Sequence, residues 1–200
     1  DASGSVWVAI NTGAVANRNV ELIQFSSIGV APTSATPIEN GVTANVGSQT
    51  VAVDGSGDVY VAWTSGTGTI RVRRYNSNLT TTQWTQSFSS AGAAAARLEA
   101  HGMVLDSLAA AGNGNVIVVG GIDFAGGTGF GHFMQRLRKS DGSTWLGVPT
   151  APVDVADAYW YGVALLGNDD IYSTGDRTVG SVDAWTAHAL ESTFGAQDWA

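Results

Sequence analysis

The stretch TVAVDGSGDVYVAW, residues 50–63, places a Gly-rich turn between two runs of valine, alanine and aromatic residues. Such runs on both sides of a tight turn are typical of a β-hairpin. Asp54, Ser56 and Asp58 occupy alternate positions of the turn, and oxygen ligands have this spacing in calcium-binding loops. The stretch therefore allows two interpretations, a metal site or a tight turn between two strands.

The same pattern recurs along the chain. SLAAAGNGNVIVVG (107–120) and GVALLGNDDIYSTG (162–175) align with it without gaps, and DASGSVWVAI (1–10) aligns with its second part. The equivalent positions Gly4, Gly57, Gly114 and Asp169 are separated by 53, 57 and 55 residues. A regular spacing of this size indicates a repeat architecture.

Each copy continues with a strand of alternating character, a polar turn and a further strand. The alternating stretches are VELIQF (20–25), TIRVRRY (69–75), HFMQRL (132–137) and TAHAL (186–190). Trp84, Trp145 and Trp199 then mark the last strand of copies two to four, whereas copy one lacks a Trp near Ser34. Four short strands in about 50–55 residues is the size of one β-propeller blade.

We therefore predict an all-β chain, a β-propeller built of four-stranded antiparallel blades. Residues 1–200 form a single propeller segment with about four blade-like repeats, at approximately 1–45, 46–90, 91–148 and 149–200. The first copy begins inside its hairpin turn, so its innermost strand is missing from the pattern. We expect the segment to belong to a larger ring of six to eight blades, rather than to form a four-bladed ring by itself or a ring closed by a second chain, since closure removes exposed strand edges.

The residues that carry a family resemblance are VDGSGDVYVAW, AAAGNGNVIVVGG and HFMQRLRKSDGSTW. They resemble the bacterial seven-bladed β-propeller repeats and the related delta-60 repeats. RLRKSDGSTW (136–145) is also similar to the tryptophan-docking turn of quinoprotein-like blades and to the Asp-box of sialidase-like blades. Asp141 and Gly142 are adjacent, so the box is one residue short and we interpret it as an ordinary hairpin. The resemblance implies a fold and leaves the function open.

One segment departs from the β pattern. SSAGAAAARLEAHG (89–102) is rich in alanine and contains AAAARLEA, which has high helix propensity. The sequence predicts a helix of about two turns here, docked on the ring.

Composition excludes several classes of function. The net charge is −8 and the chain has a single lysine, Lys139, so a phosphate backbone would be repelled and nucleic-acid binding is not expected. No apolar run approaches the roughly 20 residues of a membrane span, and membrane insertion is not expected. The absence of cysteine removes disulfides and thiolate metal sites. Few lysines and no cysteine suggest a secreted or cell-surface protein, extracellular and bacterial.

Metal ligands are weakly indicated. The positions equivalent to Asp54 in later copies are Ala111 and Leu166, so the repeats favour turn chemistry over calcium for the opening stretch. Asp169, Asp170 and Asp176 form a second acidic cluster and are the candidate metal ligands, with calcium as the ion and no other cofactor. His101, His132 and His188 show no metal-binding spacing and are expected to be packing or edge residues. No catalytic motif is recognised.

Candidate binding residues fall into two groups. Arg71 and Arg73 lie on one face of a strand, where a basic pair can grip a carboxylate or an acidic sugar, although a surface ion pair is the simpler explanation. Trp160 and Trp185 depart from the repeat pattern and, with Tyr159, are candidates for sugar stacking or partner contact.

The function predicted from these features is a non-catalytic extracellular scaffold or recognition module for protein or glycan contacts, of the kind found in surface assemblies. The partners expected are a protein, further blades of the same ring, or a polysaccharide. The alternative is a polysaccharide-directed enzyme or lectin with its site at the propeller axis, and a quinoprotein-like dehydrogenase is third. An enzyme should show converging carboxylates or a His–carboxylate pair at the axis, and a lectin an exposed aromatic side chain.

Overall fold

The computed structural model describes residues 4–14, 17–26, 35–42, 49–66, 68–89, 95–105, 114–124, 130–144, 158–165, 171–179, 182–190 and 197–199. These residues form strands, turns and no α-helix, and the strands assemble into four antiparallel sheets. No helix in this part of the chain is long and apolar enough to cross a membrane. The all-β prediction is confirmed.

The four sheets follow one another along the chain. Sheet 1 contains β1 (Val6–Ala14), β2 (Asn17–Phe25) and β3 (Thr36–Val42). Sheet 2 contains β4 (Gln49–Val53), β5 (Val59–Thr64), β6 (Thr69–Tyr75) and β7 (Thr82–Ser89). Sheet 3 contains β8 (Ala95–Leu105), β9 (Asn115–Phe124) and β10 (Phe130–Arg138). Sheet 4 contains β11 (Ala158–Leu165), β12 (Ile171–Val179), β13 (Val182–Leu190) and β14 (Gln197–Trp199).

The strand registers repeat from sheet to sheet. One pair of residues recurs in all four sheets. It joins a residue at or next to the start of β1, β5, β9 or β12 to the aliphatic or aromatic residue that ends the alternating stretch on the following strand. The pairs are Val6 with Phe25, Val59 with Tyr75, Val116 with Leu137, and Ile171 with Leu190. The four sheets therefore share one register at this pair of strands.

Successive sheets pack face to face. We call the side of a sheet that meets the preceding sheet its leading face, and the opposite side its trailing face. The trailing face of sheet 1 is made by Trp7, Ala9, Val20, Leu22 and Ile38, and it packs on Val51, Val53, Val59, Val61, Trp63 and Tyr75 of sheet 2. The trailing face of sheet 2 is made by Tyr60, Ala62, Ile70, Val72 and Trp84, and it packs on Val116, Val118 and Leu137 of sheet 3. Ile117 and Val119 of sheet 3 meet Ile171, Val163 and Leu165 of sheet 4. Because both faces of the middle sheets are covered, β5 is buried along its whole length.

The helix predicted within residues 89–102 is wrong. Residues 95–105 form β8, the innermost strand of sheet 3, with Leu98 1% and Ala100 0% exposed in the core shared with sheet 2. Intrinsic helix propensity is worth only a few tenths of a kcal/mol per residue, and burial between two sheets outweighs it.

The gapless alignment of residues 107–120 also misplaced this inner strand. That alignment pairs Ala110 with Val116, whereas the structure pairs Leu105 with Val116. The equivalent pairs in sheets 2 and 4 are Val53 with Val59 and Leu165 with Ile171. Sheet 3 therefore carries a longer connection before β9, and residues 106–113 in that connection lie outside the described part.

A tryptophan joins sheets 2 and 3. The Trp84 indole N–H donates to the carbonyl of Lys139 at 2.9 Å, and the hairpin of residues 138–143 covers the ring. Gly142 has φ +73°, and a Cβ there would lie 2.7 Å from Trp84 Cε3. The hairpin resembling a tryptophan-docking turn thus receives the Trp of the preceding sheet. The side chains of Trp145 and Trp199 lie outside the described part.

The Asp54 carboxylate stabilises the β4–β5 turn and also contacts the next sheet. Its Oδ1 accepts the backbone N–H groups of Ser56 at 2.9 Å and Asp58 at 3.1 Å, which closes the β4–β5 turn. Its Oδ2 accepts the Tyr60 hydroxyl at 3.1 Å and lies 3.2 Å from Lys139 Nζ. Burial alone would raise the pKa of Asp54, but the Lys139 ammonium and these N–H groups outweigh it and hold the pKa below its ordinary value. All four partners are protein groups, so the carboxylate serves the turn and the junction between sheets.

Arg74 completes the same junction. Its guanidinium donates to Asp58 Oδ2 through Nε at 3.0 Å and Nη2 at 2.6 Å, and Nη1 donates to the Lys139 carbonyl at 2.8 Å. Burial opposes the charged form, yet the hydrogen bonds to Asp58 and the nearby negative charges raise the pKa of Arg74. Burial also raises the pKa of the Tyr60 hydroxyl, and Arg74 offsets this only in part. A part-buried ion pair in which two N–H groups donate to one carboxylate oxygen holds its partners in one geometry.

Candidate functional site

Three inner strands carry a polar or aromatic residue at the same distance in sequence from the hairpin connection that follows. Counting back from the equivalent pairs of Val53, Leu105 and Leu165, the residues four positions earlier are Gln49, His101 and Tyr161. The strands that carry them, β4, β8 and β11, contact one another in succession. Inner strands line the central channel of a propeller, so we expect the edge formed by these three strands to lie towards the ring axis.

Two of these residues are presented by β-bulges. The ladder of β8 with β9 skips a residue between Ala100 and Gly102, and that residue is His101. The ladder of β11 with β12 skips a residue between Trp160 and Gly162, and that residue is Tyr161. A bulge re-aims a side chain out of the regular alternation, and bulges are common beside functional sites.

The side chains meet across the junction of sheets 3 and 4. The rings of His101 and Tyr161 lie 5.1 Å apart between centroids and are tilted by 58°. His101 Nε2 lies 3.2 Å from Glu99 Oε2, with the Glu99 side chain 9% and the His101 side chain 16% exposed. Tyr161 is 42% exposed, so its ring is open to solvent while its partners are largely covered. A carboxylate, an imidazole and an aromatic ring therefore converge at one place, which we call the axial site.

Both bulges are followed by a glycine that leaves no room for a side chain, Gly102 towards β11 and Gly162 towards β12. A Cβ on Gly102 would lie 3.2 Å from the Tyr161 carbonyl oxygen and 3.3 Å from Val163 Cγ1. A Cβ on Gly162 would lie 2.9 Å from Thr174 Oγ1. Both glycines directly follow a bulged residue, so the sequence pairs His-Gly and Tyr-Gly build the same local structure twice.

The axial site offers binding chemistry for hydroxylated ligands. Tyr161 supplies an exposed aromatic surface, and the largely covered His101 and Glu99 place a ring nitrogen and a carboxylate behind it. No group of three or more His, Cys, Asp or Glu side chains able to hold a metal ion occurs in the part of the chain that the structure describes.

Arg71 and Arg73 lie at the junction of sheets 1 and 2. Arg71 Nη1 forms an ion pair with Glu39 Oε1, and the same carboxylate accepts the Trp63 indole N–H through Oε2. Arg73 Nη1 donates to the Ile38 carbonyl at 2.8 Å, and its guanidinium lies 5.2 Å from the Trp63 ring centroid. Arg71 therefore forms the ion pair that the sequence offered as the simpler explanation, with Glu39 as its partner. A ligand role for the two arginines stays a prediction.

The backbone of the aromatic candidates Tyr159, Trp160 and Trp185 lies near the axial site. Tyr159 pairs with Asp176 across β11 and β12, and Asp176 pairs with Trp185 across β12 and β13. Three predicted residues thus form one row of sheet 4, two positions from Tyr161, and Trp160 is its neighbour. Their side chains, and the whole of Asp169 and Asp170, lie outside the described part, so their binding and calcium roles stay predictions.

The sequence reasoning missed the three residues of the axial site. His101 was expected to be a packing or edge residue, and Glu99 was assigned to a helix. HGMVL (101–105) matches YGVAL (161–165), and both stretches end where the hairpin connection begins. This match is the sequence signal that could have identified the site. The gapless alignment hid this match because sheet 3 has a longer connection.

Comparison with known proteins shows the fold. No protein-family model matches the chain, and no curated protein matches it. The NanB sialidase from Streptococcus pneumoniae, solved with 2-[(3-chlorobenzyl)ammonio]ethanesulfonate, has a TM-score of 0.53 at 11% identity, over 88% of this chain and 26% of that chain. An exo-β-1,3-galactanase from Phanerochaete chrysosporium, solved with β-1,3-galactotriose, has a TM-score of 0.42 at 15% identity, over 97% and 48%. The chain thus spans about a quarter of the first protein and about half of the second.

The sialidase match places this chain in the β-propeller fold, in agreement with the prediction. At this level of identity the likeness concerns the fold alone. The particular repeat families suggested by the sequence stay a resemblance.

Proposed function

We propose that the protein is an extracellular β-propeller that recognises glycans at the axial site and does not cleave them. The observation that carries the proposal is the exposed ring of Tyr161 against His101, whose Nε2 lies beside the buried carboxylate of Glu99. Aromatic faces stack on the apolar side of sugar rings, and carboxylates accept their hydroxyl hydrogens. The fold likeness to a sialidase is compatible with a glycan ligand.

The charges of the site favour a neutral sugar. An acidic sugar needs a guanidinium or ammonium partner, and the described contacts of Arg71, Arg74 and Lys139 lie within the junctions between sheets. The formal charge of −8 repels an anionic polysaccharide further. A neutral hexose or an N-acetylated hexosamine needs no cationic partner and is not repelled by the negative charge of the protein.

The test is binding to a panel of neutral, acidic and amino polysaccharides, followed by titration calorimetry on the best ligand. Tyr161→Ala is expected to weaken binding roughly three- to tenfold, the value of one aromatic contact, while Tyr161→Phe keeps the ring and most of the affinity. Glu99→Gln is expected to weaken binding as well, because it removes the charged acceptor. Wild-type affinity in both Tyr161→Ala and Glu99→Gln, with folding intact, would rule out the axial site.

Glycan hydrolysis is the second candidate. The Glu99–His101 pair is the His–carboxylate arrangement expected of an enzyme at the axis. Most glycosidases use two carboxyl groups flanking the scissile bond. Asp176 is a candidate for the second group because its backbone pairs with Tyr159 near the axial site. Release of reducing sugar by the wild type, lost in both Glu99→Gln and Asp176→Asn, would establish this function in place of simple recognition.

A further inference from the structure

The outer strand of sheet 2 has a long, regular free edge. β7 is the terminal strand of its sheet, and on its outer side it pairs with no strand of the part that the structure describes. Its sequence, TQWTQSFS, contains no charged residue and no proline. The one register shift lies at the beginning of the strand, so the backbone from Trp84 to Ser89 pairs with β6 without interruption. An edge of this kind is a template for pairing with another extended chain.

The other outer strands that the structure describes carry features that discourage such pairing. β3 contains Pro37 and has register shifts in its ladder with β2. β10 carries the charged residues Arg136 and Arg138. β14 is only three residues long and includes Asp198. Proline, bulges, charge and shortness are the usual protections of a sheet edge, and β7 has none of them.

The two sides of β7 differ in what they contact. Trp84 and Phe88 belong to the core shared with sheet 3. Side chains alternate along a strand, and the other side of β7 carries three exposed hydroxyl residues. They are Thr85, Ser87 and Ser89. Thr85 is the cross-strand neighbour of Arg73 on β6. A strand added to this edge would therefore place every second side chain beside the hydroxyl row, and one of them next to Thr85 and Arg73.

Arg73 carries a positive charge that pairs with no carboxylate in the described part of the chain. Its Nε donates to Thr85 Oγ1 at 2.9 Å, and Nη1 donates to the Ile38 carbonyl at 2.8 Å and the Tyr75 hydroxyl at 2.9 Å. The guanidinium lies 5.2 Å from the Trp63 ring centroid and 5.7 Å from that of Tyr75. All these partners are uncharged, and they hold the guanidinium in one position.

The acidic residues of residues 4–89 are all engaged by other groups. The pairs are Glu21 with Thr12, Glu39 with Arg71, Asp54 with Lys139, and Asp58 with Arg74. The charge of Arg73 is therefore left for a partner from outside. A carboxylate fits the remaining donors, because Nη2 has no acceptor among the described residues and the Thr85 oxygen, which accepts from Nε, can donate its own hydrogen.

We propose that β7 binds an extended acidic segment of a partner protein by strand addition. The segment pairs with the β7 backbone, and an Asp or Glu beside Thr85 places its carboxylate on Arg73 Nη2 and the Thr85 hydroxyl. An acidic sugar is less suited to this place, because the aromatic rings beside Arg73 are covered: Trp63 is fully buried and Tyr75 is 5% exposed. The proposal does not depend on the glycan site, which lies on inner strands.

The experiment is selection of binders from a phage-displayed library of random peptides, followed by fluorescence-polarisation titration of a selected peptide. Selected peptides are expected to carry Asp or Glu at one fixed position. Arg73→Gln, and separately the acid-to-amide change in the peptide, are each expected to weaken binding about tenfold or more, and the two together no further. Thr85→Val is expected to weaken it less. Arg18→Gln makes the same charge change at the β1–β2 hairpin and is the control.

Methylation of the peptide backbone tests strand addition. N-methyl groups at positions that donate to β7 should abolish binding, whereas those at the alternate positions should be tolerated. The acid-to-amide change in the peptide tests the charge without altering the protein, so it holds even where Arg73→Gln impairs folding. Selected peptides with no fixed acidic position, or unchanged binding to a folded Arg73→Gln variant, would contradict the carboxylate contact. Equal tolerance of methylation at every position, or a library that yields no binder, would overturn strand addition at β7.

Discussion

At the scale of the residue, a few side chains and glycines decide how neighbouring sheets meet. Trp84 reaches out of sheet 2 to the Lys139 carbonyl, and Gly142 leaves room for its ring. Asp54, which the sequence presents as a calcium-like carboxylate, is bound by four protein donors. These residues are positioned by the turn and by the neighbouring sheet together.

Gly142→Ala is expected to destabilise the protein by about 2–4 kcal/mol. A methyl group there meets Trp84 and must also adopt a left-handed backbone conformation. Urea unfolding followed by fluorescence and circular dichroism measures the loss. Gly55→Ala is the matched control, because nothing lies within 4 Å of its Cβ position and it is expected to change stability by less than about 1 kcal/mol. Equal stability of the two variants would contradict the packing of Gly142 on Trp84.

At the scale of the element, β8 shows how packing overrides local preference. An alanine-rich stretch with good helix formers becomes an inner strand, because both of its faces are buried and the hairpin with β9 satisfies its backbone. The same strand carries the bulge that presents His101 to the axis. A strand-forming repeat position can thus be filled by residues that favour another structure in isolation.

Ala100→Leu tests whether β8 is a buried strand or a helix docked on the surface. Ala100 is fully buried between sheets 2 and 3, so a larger side chain is expected to cost about 1–3 kcal/mol in unfolding free energy. On a docked surface helix the same change would be nearly neutral. Chemical denaturation distinguishes the two outcomes, with Gln83→Leu on exposed β7 as the control for added apolar volume.

At the scale of the whole molecule, the junctions between sheets combine apolar packing with a few charged contacts. Sheets 1 and 2 share Glu39, Arg71 and Trp63, and sheets 2 and 3 share Asp54, Arg74 and Lys139. Such contacts are worth most where they are partly buried, and they make the order of sheets specific.

The junction of sheets 2 and 3 is expected to make stability depend on acid pH. The pKa of Asp54 is lowered in the folded state, so its contribution is present above the unfolded value of about 3.8 and is lost as the pH falls through the folded value. Lys139→Met removes the ammonium, so the folded pKa of Asp54 should rise towards its unfolded value and the loss of stability on acidification should become smaller. Lys139→Arg keeps the charge and is expected to keep the wild-type profile.

Urea unfolding between pH 2.5 and 7 measures these profiles, and Asp54→Asn should flatten the part that Asp54 contributes. Identical acid profiles for the wild type and Lys139→Met would show that the ion pair adds nothing to the junction.

The sequence by itself determined the all-β fold and the register of the hairpins β1–β2, β5–β6, β9–β10 and β12–β13. The repeat around Gly57 places Val59, Val116 and Ile171 at the same point of their sheets, because turn residues and alternating apolar residues act locally along the chain. It also assigned Asp54 to turn chemistry, since its carboxylate does not recur.

Only the tertiary structure decided which residues become inner strands and which of them meet. Helix propensity and a gapless alignment both failed at β8, where a longer connection shifts the register and burial between sheets selects the strand. The convergence of Glu99 and His101 with Tyr161, some 60 residues further along the chain, depends on two sheets packing face to face. A contact of that kind leaves no local pattern, because its energy comes from surfaces that the chain brings together only on folding.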